Sequence, residues 1–306
     1  MKHLTIIITA IINTASLSAA AATEGQFDPG RIGWSEAQYH AAKLFISVDT
    51  HVALIGHPAA DITDQLMEPG EGAAVTPEDY VQQLLFTTEF FGRHTISDLL
   101  INPVTGATLQ RTSHDSGNRF RHRIYRFTDK GAYQRTRWPV GKDEENLPAE
   151  RWEEWSETGE GFRAYPAAAV GSPVTDSGGL LYTVGAADLI EPGDKIEILA
   201  YARSHVHRVH VEVTTPEAIK VDYQERDGES SVERKGKQQV ITLLIRGEAL
   251  DDGDGEDEFE LLGLRGDIIM HMDPKTRAPL QLSGKVKIAG QVTLKIKSLI
   301  ARQASN

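Results

Sequence analysis

The chain has 306 residues, a formal charge of −12 at pH 7 and no cysteine. The acidic balance argues against a nucleic-acid binder, which carries a basic footprint. The missing cysteine removes disulfides, thiol nucleophiles, thiolate metal sites and the lipid-modified cysteine of a lipoprotein.

Residues 1–22 read as a signal peptide. Lys2 and His3 form a positive lead, residues 4–12 an apolar core too short to span a bilayer, and residues 18–22 a small-residue cleavage region. The expected destination is the periplasm. The rest, 23–306, reads as one exported β-rich domain. It has two halves, 23–138 and 171–306, joined by an acidic, proline-containing segment at 139–170. An integral outer-membrane barrel is disfavoured, because aromatics are only 7% and the chain ends in a polar tail.

In chain order, Ser35 is read as the cap of a short helix through Ala42. Leu44, Ile46, Val48, Val52 and Leu54 then alternate as a strand. Residues 58–77 read as a loop, and Thr76-Pro77-Glu78-Asp79 as a helix start. From Leu84 onward, short strands are separated by turns at 102–106, 115–118 and 129–131. Residues 149–157 form a short helix with Trp152 and Trp155 on one face. Strands resume at 180–184, 195–202, 208–214, 219–224, 239–246, 259–264 and 267–272.

The last forty residues carry the strongest pattern. Leu280, Leu282, Val286, Ile288, Val292, Leu294 and Ile296 share one parity, and lysines stud the other. A three-residue loop over Ile288, Ala289 and Gly290 keeps that parity and sets Val286 opposite Val292. Leu282, Val286, Val292 and Leu294 are the expected apolar inner face of a closing hairpin. The fold class that follows is all-β: a strongly curved antiparallel sheet or partly closed barrel, with one or two short helices.

The most informative constellation is electrostatic. Residues 109–142 hold nine lysines and arginines against two acids. If Asp129-Lys130-Gly131 is a three-residue hairpin loop, Arg123 lies opposite Arg137 and Tyr125 opposite Arg135, with Arg121 on the same face. Like charges facing each other across strands destabilise a sheet unless an anion joins them. Two counter-charges stay open. Residues 143–160, with eight acids against Arg151, fold back onto the hairpin. Alternatively Arg121, Arg123, Arg135 and Arg137 hold an anionic ligand such as lipid phosphate or acidic glycan.

Other motifs carry less. His205 and His207 share a strand face while His210 points away, so surface histidines explain the run better than zinc. Asp176-Ser177-Gly178-Gly179 is similar to the nucleophile region of trypsin-like proteases, but no companion histidine motif accompanies it. Asp115-Ser116-Gly117 and Asp176-Ser177-Gly178 pair as in aspartic proteases, yet lack the apolar strand residues before them. Turn chemistry explains both triplets. The acidic run 251–260 puts leucines where an EF-hand needs carboxylates. No catalytic residue, metal or cofactor is assigned.

Five runs together resemble an exported bacterial family, domain of unknown function 3108. They are TGATLQRTS (105–113), RFRHRIYRF (119–127), YQRTRWP (133–139), DSGGLLYTVGAADLIEPGD (176–194) and DIIMHMDPKTRAPLQLSGKVKIAGQVTLKI (267–296). The resemblance covers residues 84–298 and implies a barrel-like or curved-sheet protein of the cell envelope, with no catalytic residues to carry over. The leading expectation is a non-enzymatic periplasmic binding, carrier or envelope-support protein. Its hydrophobic concave sheet would hold a lipid or other hydrophobic ligand, or meet another envelope protein. The alternatives are an envelope glycan hydrolase or lyase, and a purely structural or interaction module.

Overall fold

The computed structural model describes residues 27–43, 46–90, 92–251, 258–287 and 289–302. The signal peptide expected over 1–22 and most of the acidic run at 251–260 lie outside them.

The first half of the chain is a meander in which each strand pairs antiparallel with the next. It comprises β1 (Trp34–Lys43), β2 (Ile46–Pro58), β3 (Tyr80–Phe90), β4 (Arg93–Ile101), β5 (Thr108–Gly117), β6 (Arg121–Phe127), β7 (Gly131–Trp138) and β8 (Glu157–Ala164). β1 replaces the helix expected after Ser35. Register shifts between Trp34 and Glu36 and between Gln38 and Tyr39 give its buried residues (Trp34, Ala37, Tyr39, Ala41) a spacing that imitates a helix. The helix expected at Thr76 is absent; that stretch is irregular, with Ala74 bridging Thr128. A single helical turn, α1 (Ala59–Ile62), lies earlier, inside the predicted loop.

The second half begins with β9 (Val174–Asp176) and α3 (Leu180–Ala186), α2 (Lys142–Glu145) having preceded β8. It continues through β10 (Lys195–Ala202), β11 (His205–Val213), β12 (Glu217–Asp227), β13 (Ser230–Ala249), β14 (Glu260–Leu261), β15 (Leu264–Met272), β16 (Pro279–Val286) and β17 (Gly290–Ala301). β17 pairs with β1, joining the halves into one curved sheet of 17 strands that is not a clear barrel. Two short parallel pairings, β9 with β10 and β12 with β17, make it mixed rather than purely antiparallel. The all-β class holds.

In the terminal hairpin, Leu282 faces Leu294, Gly284 faces Val292 and Val286 faces Gly290. The register is therefore two residues tighter than the expected one, which paired Val286 with Val292. A two-residue slip preserves parity. Leu282 and Leu294 are buried in the main core, and Val286 and Val292 pack against it. Ile288, expected in the loop, is outside the described residues.

Residues 180–184, read as a strand, form the helix α3. Every residue of α3 is buried, so the sequence shows an apolar run without periodicity, which cannot separate a buried strand from a buried helix. α3 packs into the large apolar cluster that also holds Val52, Leu84, Leu99, Met270, Leu280 and Leu282. Its C-terminal end is clasped by a buried guanidinium. Arg277 donates from Nε to Gly185 O (3.2 Å), from Nη2 to Ala187 O (2.8 Å) and from Nη1 to Leu189 O (2.8 Å). The Gly185 and Ala187 carbonyls are acceptors at the helix end, and Leu189 lies just beyond it. Asp273 shapes the Arg277 loop by accepting from the backbone N–H of Lys275 and Thr276. On the other side, Tyr182 Oη donates to Pro103 O (3.1 Å). A side chain at Gly106 would collide with Phe27 and Thr183.

Arg277→Met should cost about 3 kcal/mol or more, because buried carbonyls lose charge-assisted partners. Urea unfolding measures this; a loss below about 1 kcal/mol would show that the clasp is dispensable.

Candidate anion-binding cleft

Direct cross-strand partners share a face of the sheet, so rows of side chains can be followed from strand to strand. One concave row runs Ala37, Val52, Phe86, Ser97, Ser113, Arg123, Thr136, Gly159. The next runs Leu54, Leu84, Leu99, Arg111, Tyr125, Gln134, Gly161. Both begin apolar, under α3, and turn polar at β4–β5. The concave face thus has a filled apolar half and a polar half.

The polar half borders a cleft of about 540 Å³. Its floor includes Thr95, Ser97, Arg111, Ser113, Arg123 and Tyr125. Its rim comes from Asp176 to Gly178 and from two hairpin turns, Arg203-Ser204 and Leu262-Gly263. Those turns have two residues each, both at positive φ: 50° and 76° in the first, 50° and 81° in the second. Such turns favour Asn and Gly. Arg203, Ser204 and Leu262 hold the conformation at some strain beside the cleft.

Two aspartates order the floor, each at the head of a D-S-G triplet. Asp115 has no solvent exposure and accepts from Arg93 (2.6 Å), Arg121 (2.7 Å) and Thr95 (2.9 Å), with Arg123 at 3.7 Å. Burial alone would raise its carboxyl pKa, but the hydrogen bonds from Arg93, Arg121 and Thr95 outweigh burial and hold it down to about 2. Asp176 accepts from Arg111 Nη1 (2.5 Å) and caps the turn before α3 through Gly178 N–H (3.0 Å). Its own N–H donates to Thr108 Oγ1 (2.7 Å), fastening that turn to β5. The predicted turn at 115–118 is thus strand as far as Gly117.

Among the described residues, cations outnumber these acids. Arg93, Arg111, Arg121 and Arg123 share Asp115 and Asp176, while Glu260 on the rim is taken by Arg265 at 2.8 Å. Burial lowers the Arg123 pKa, and the neighbouring charges of Arg121 and Arg111 push the same way. Burial also opposes the charge on Arg111, but Asp176, Tyr125 and Tyr201 more than offset it, raising its pKa. Arg111 lies over the Tyr125 ring at 4.1 Å, a cation–π distance. The Nε atoms of Arg111 and Arg123 are buried with no hydrogen-bond acceptor among the described residues.

The four arginines proposed from the sequence are not one cluster. Phe127 pairs with Ala132 and Ile124 with Arg135, a register one residue away from the expected one. That slip sends Arg121 and Arg123 to the concave face, and Arg135 and Arg137 to the convex face with Ile124 and His122. Arg135 meets Glu160 of β8 at 2.7 Å, so part of the acidic segment does fold back onto the hairpin. The rest covers the convex side through Trp152, whose ring lies 5.4 Å from His114 and 5.4 Å from Trp155. His114 itself stacks on His122 at 4.6 Å. Burial, then His114 and Arg137, lowers the His122 pKa to about 3.

His207 is buried while His205 pairs with Asp251 at 2.9 Å and His210 is exposed. Among the described residues no three His, Cys, Asp or Glu side chains gather as a metal site. No helix among them is long and apolar enough to cross a membrane.

No protein-family model matches the chain, nor does any curated protein or solved structure.

The Asp115 network has a signed pH dependence. Its folded pKa lies below the ordinary 3.8. Its contribution is therefore complete above about pH 4 and is lost as pH falls through about 2, a change of about 2 kcal/mol. An NMR titration of the carboxyl should give a midpoint near 2, with urea stability falling over the same interval. A midpoint at or above 3.8 would contradict the network.

Proposed function

We propose that the protein is an exported, non-enzymatic binding protein of the cell envelope, and that its ligand presents an anionic group to the arginine cleft. The observation that carries this reading is the charge imbalance: among the described residues, four guanidiniums surround two carboxylates, beside open space. Partly buried cations without full compensation destabilise a fold, and an anion bound by charge-assisted hydrogen bonds would offset that. Export is supported by the signal-peptide pattern of residues 1–22.

The expected hydrophobic carrier would keep an open apolar groove, whereas here α3 packs into that half of the concave face. Leu282 and Leu294 meet core residues, so a ligand's polar end is the part the cleft suits. A two-carboxylate hydrolase needs one acid with a raised pKa. Asp115 is held down to about 2 and Asp176 is engaged by Arg111, which favours binding over that chemistry.

Thermal unfolding with increasing inorganic phosphate tests the reading. Phosphate should raise the wild-type Tm in a salt-sensitive manner. Arg111→Gln with Arg123→Gln should abolish the response, and Arg135→Gln with Arg137→Gln should preserve it. No rise in the wild type, or equal responses from the two double variants, would overturn it.

A further inference from the structure

A second cleft of about 390 Å³ adjoins the first and shares Arg123 and Tyr201 with it. We infer that the two form one trough for an acidic oligosaccharide laid across β5 to β8; this rests on the anion-binding reading above. Three inter-strand steps separate β5 from β8, about 14 Å, which suits a short oligomer rather than a lone ring.

The second cleft has the chemistry of a sugar-binding surface. Gln134 and Thr136 offer an amide and a hydroxyl, and Gln134 Nε2 donates to Thr136 Oγ1 at 2.7 Å. Trp138 brings an indole beside them. Apolar ring faces suit the C–H faces of sugars, and amides and hydroxyls suit their hydroxyl groups. Arg123 stands where the two clefts meet and Arg121 lines the second, and guanidiniums suit carboxylates.

The floor of this cleft is bare strand. Gly159 lies opposite Thr136 and Gly161 opposite Gln134. Neither has positive φ, so the backbone conformation does not require glycine at either position. At Gly159 a Cβ would approach the Trp138 ring at 3.2 Å, which accounts for that glycine by packing. At Gly161 a Cβ would meet nothing within 4 Å. Glycine weakens a strand, and in a strand it often marks close approach of a ligand. The empty position faces the same trough as the arginines.

A phospholipid is the competing occupant. Its headgroup could pair with the arginines, but its chains would need the apolar concave half that α3 occupies.

Calorimetric titration of the full protein with oligogalacturonate, galacturonate monomer, neutral dextran oligomer and phosphatidylglycerol vesicles tests the inference. Oligogalacturonate should bind roughly tenfold or more tightly than the monomer, with no response to dextran. Trp138→Ala should weaken the oligomer by a similar factor while leaving the phosphate-induced rise in Tm intact. Gly161→Val, at a position with space for its Cβ, should do the same without removing an aromatic side chain. Equal affinity for oligomer and monomer, binding of dextran, a preference for vesicles, or unchanged oligomer affinity in Gly161→Val would each overturn the glycan assignment. In those cases a retained phosphate response leaves the anion site standing; a missing one removes both.

Discussion

The buried clasp between Arg277 and α3 decides what the rest of the molecule can do. A curved sheet has an apolar concave face that must be covered, and here the chain covers it with its own helix. α3 brings no solvent-exposed face, so its open carbonyls need a buried donor. Arg277 supplies three hydrogen bonds to Gly185, Ala187 and Leu189, from a loop ordered by Asp273. Burial lowers the guanidinium pKa, and the Arg31 charge adds to that. Asp188 favours the charge only through space, so the clasp depends on the hydrogen bonds. On the opposite side, the turn around Gly106 receives Tyr182 through Pro103. Two separate sequence runs, 103–106 and 273–277, thus converge on one helix.

Filling that half leaves the cleft on the β4–β8 half. There the concave rows change from leucine and valine to serine, threonine and arginine. Asp115 and Asp176 hold the arginines in place without balancing them. Asp115 needs no further partner, since three close donors satisfy it. The excess charge resides around Arg111 and Arg123, whose Nε atoms find no acceptor among the described residues. A core built only for stability would not place these cations together. The strained turns of Arg203-Ser204 and Leu262-Gly263, on the rim of the same cleft, are a second departure from the most stable choice.

The legible part of the sequence was what period two can encode. The alternation at 195–202 predicts the strand β10, and the shared parity of Leu282 and Leu294 holds across a two-residue difference in register. The hairpin from β6 to β7 was less forgiving: a one-residue slip moved Arg135 and Arg137 to the other face. Parity could not reveal α3, because a run buried on every side has none. β1 was hidden by its bulges, which produced helix-like spacing. Asp115 and Asp176 were visible as the two D-S-G triplets but resembled turns. Arg93 and Arg121 reach Asp115 only through the pairing of β4, β5 and β6, and Arg111 of β5 reaches Asp176 at the end of β9. Arg111 carried one usable signal, the shared odd parity with Ser113 and Asp115 that places all three on one strand face.

The most direct test of the central claim is the response of individual guanidiniums to an anion. Arginine Nε–Hε resonances, assigned in the full protein and titrated with galacturonate, separate the two faces of the sheet. The account predicts shifts at Arg111 and Arg123 and none at Arg135 and Arg137. Shifts confined to Arg135 and Arg137, or of equal size at all four, would contradict it.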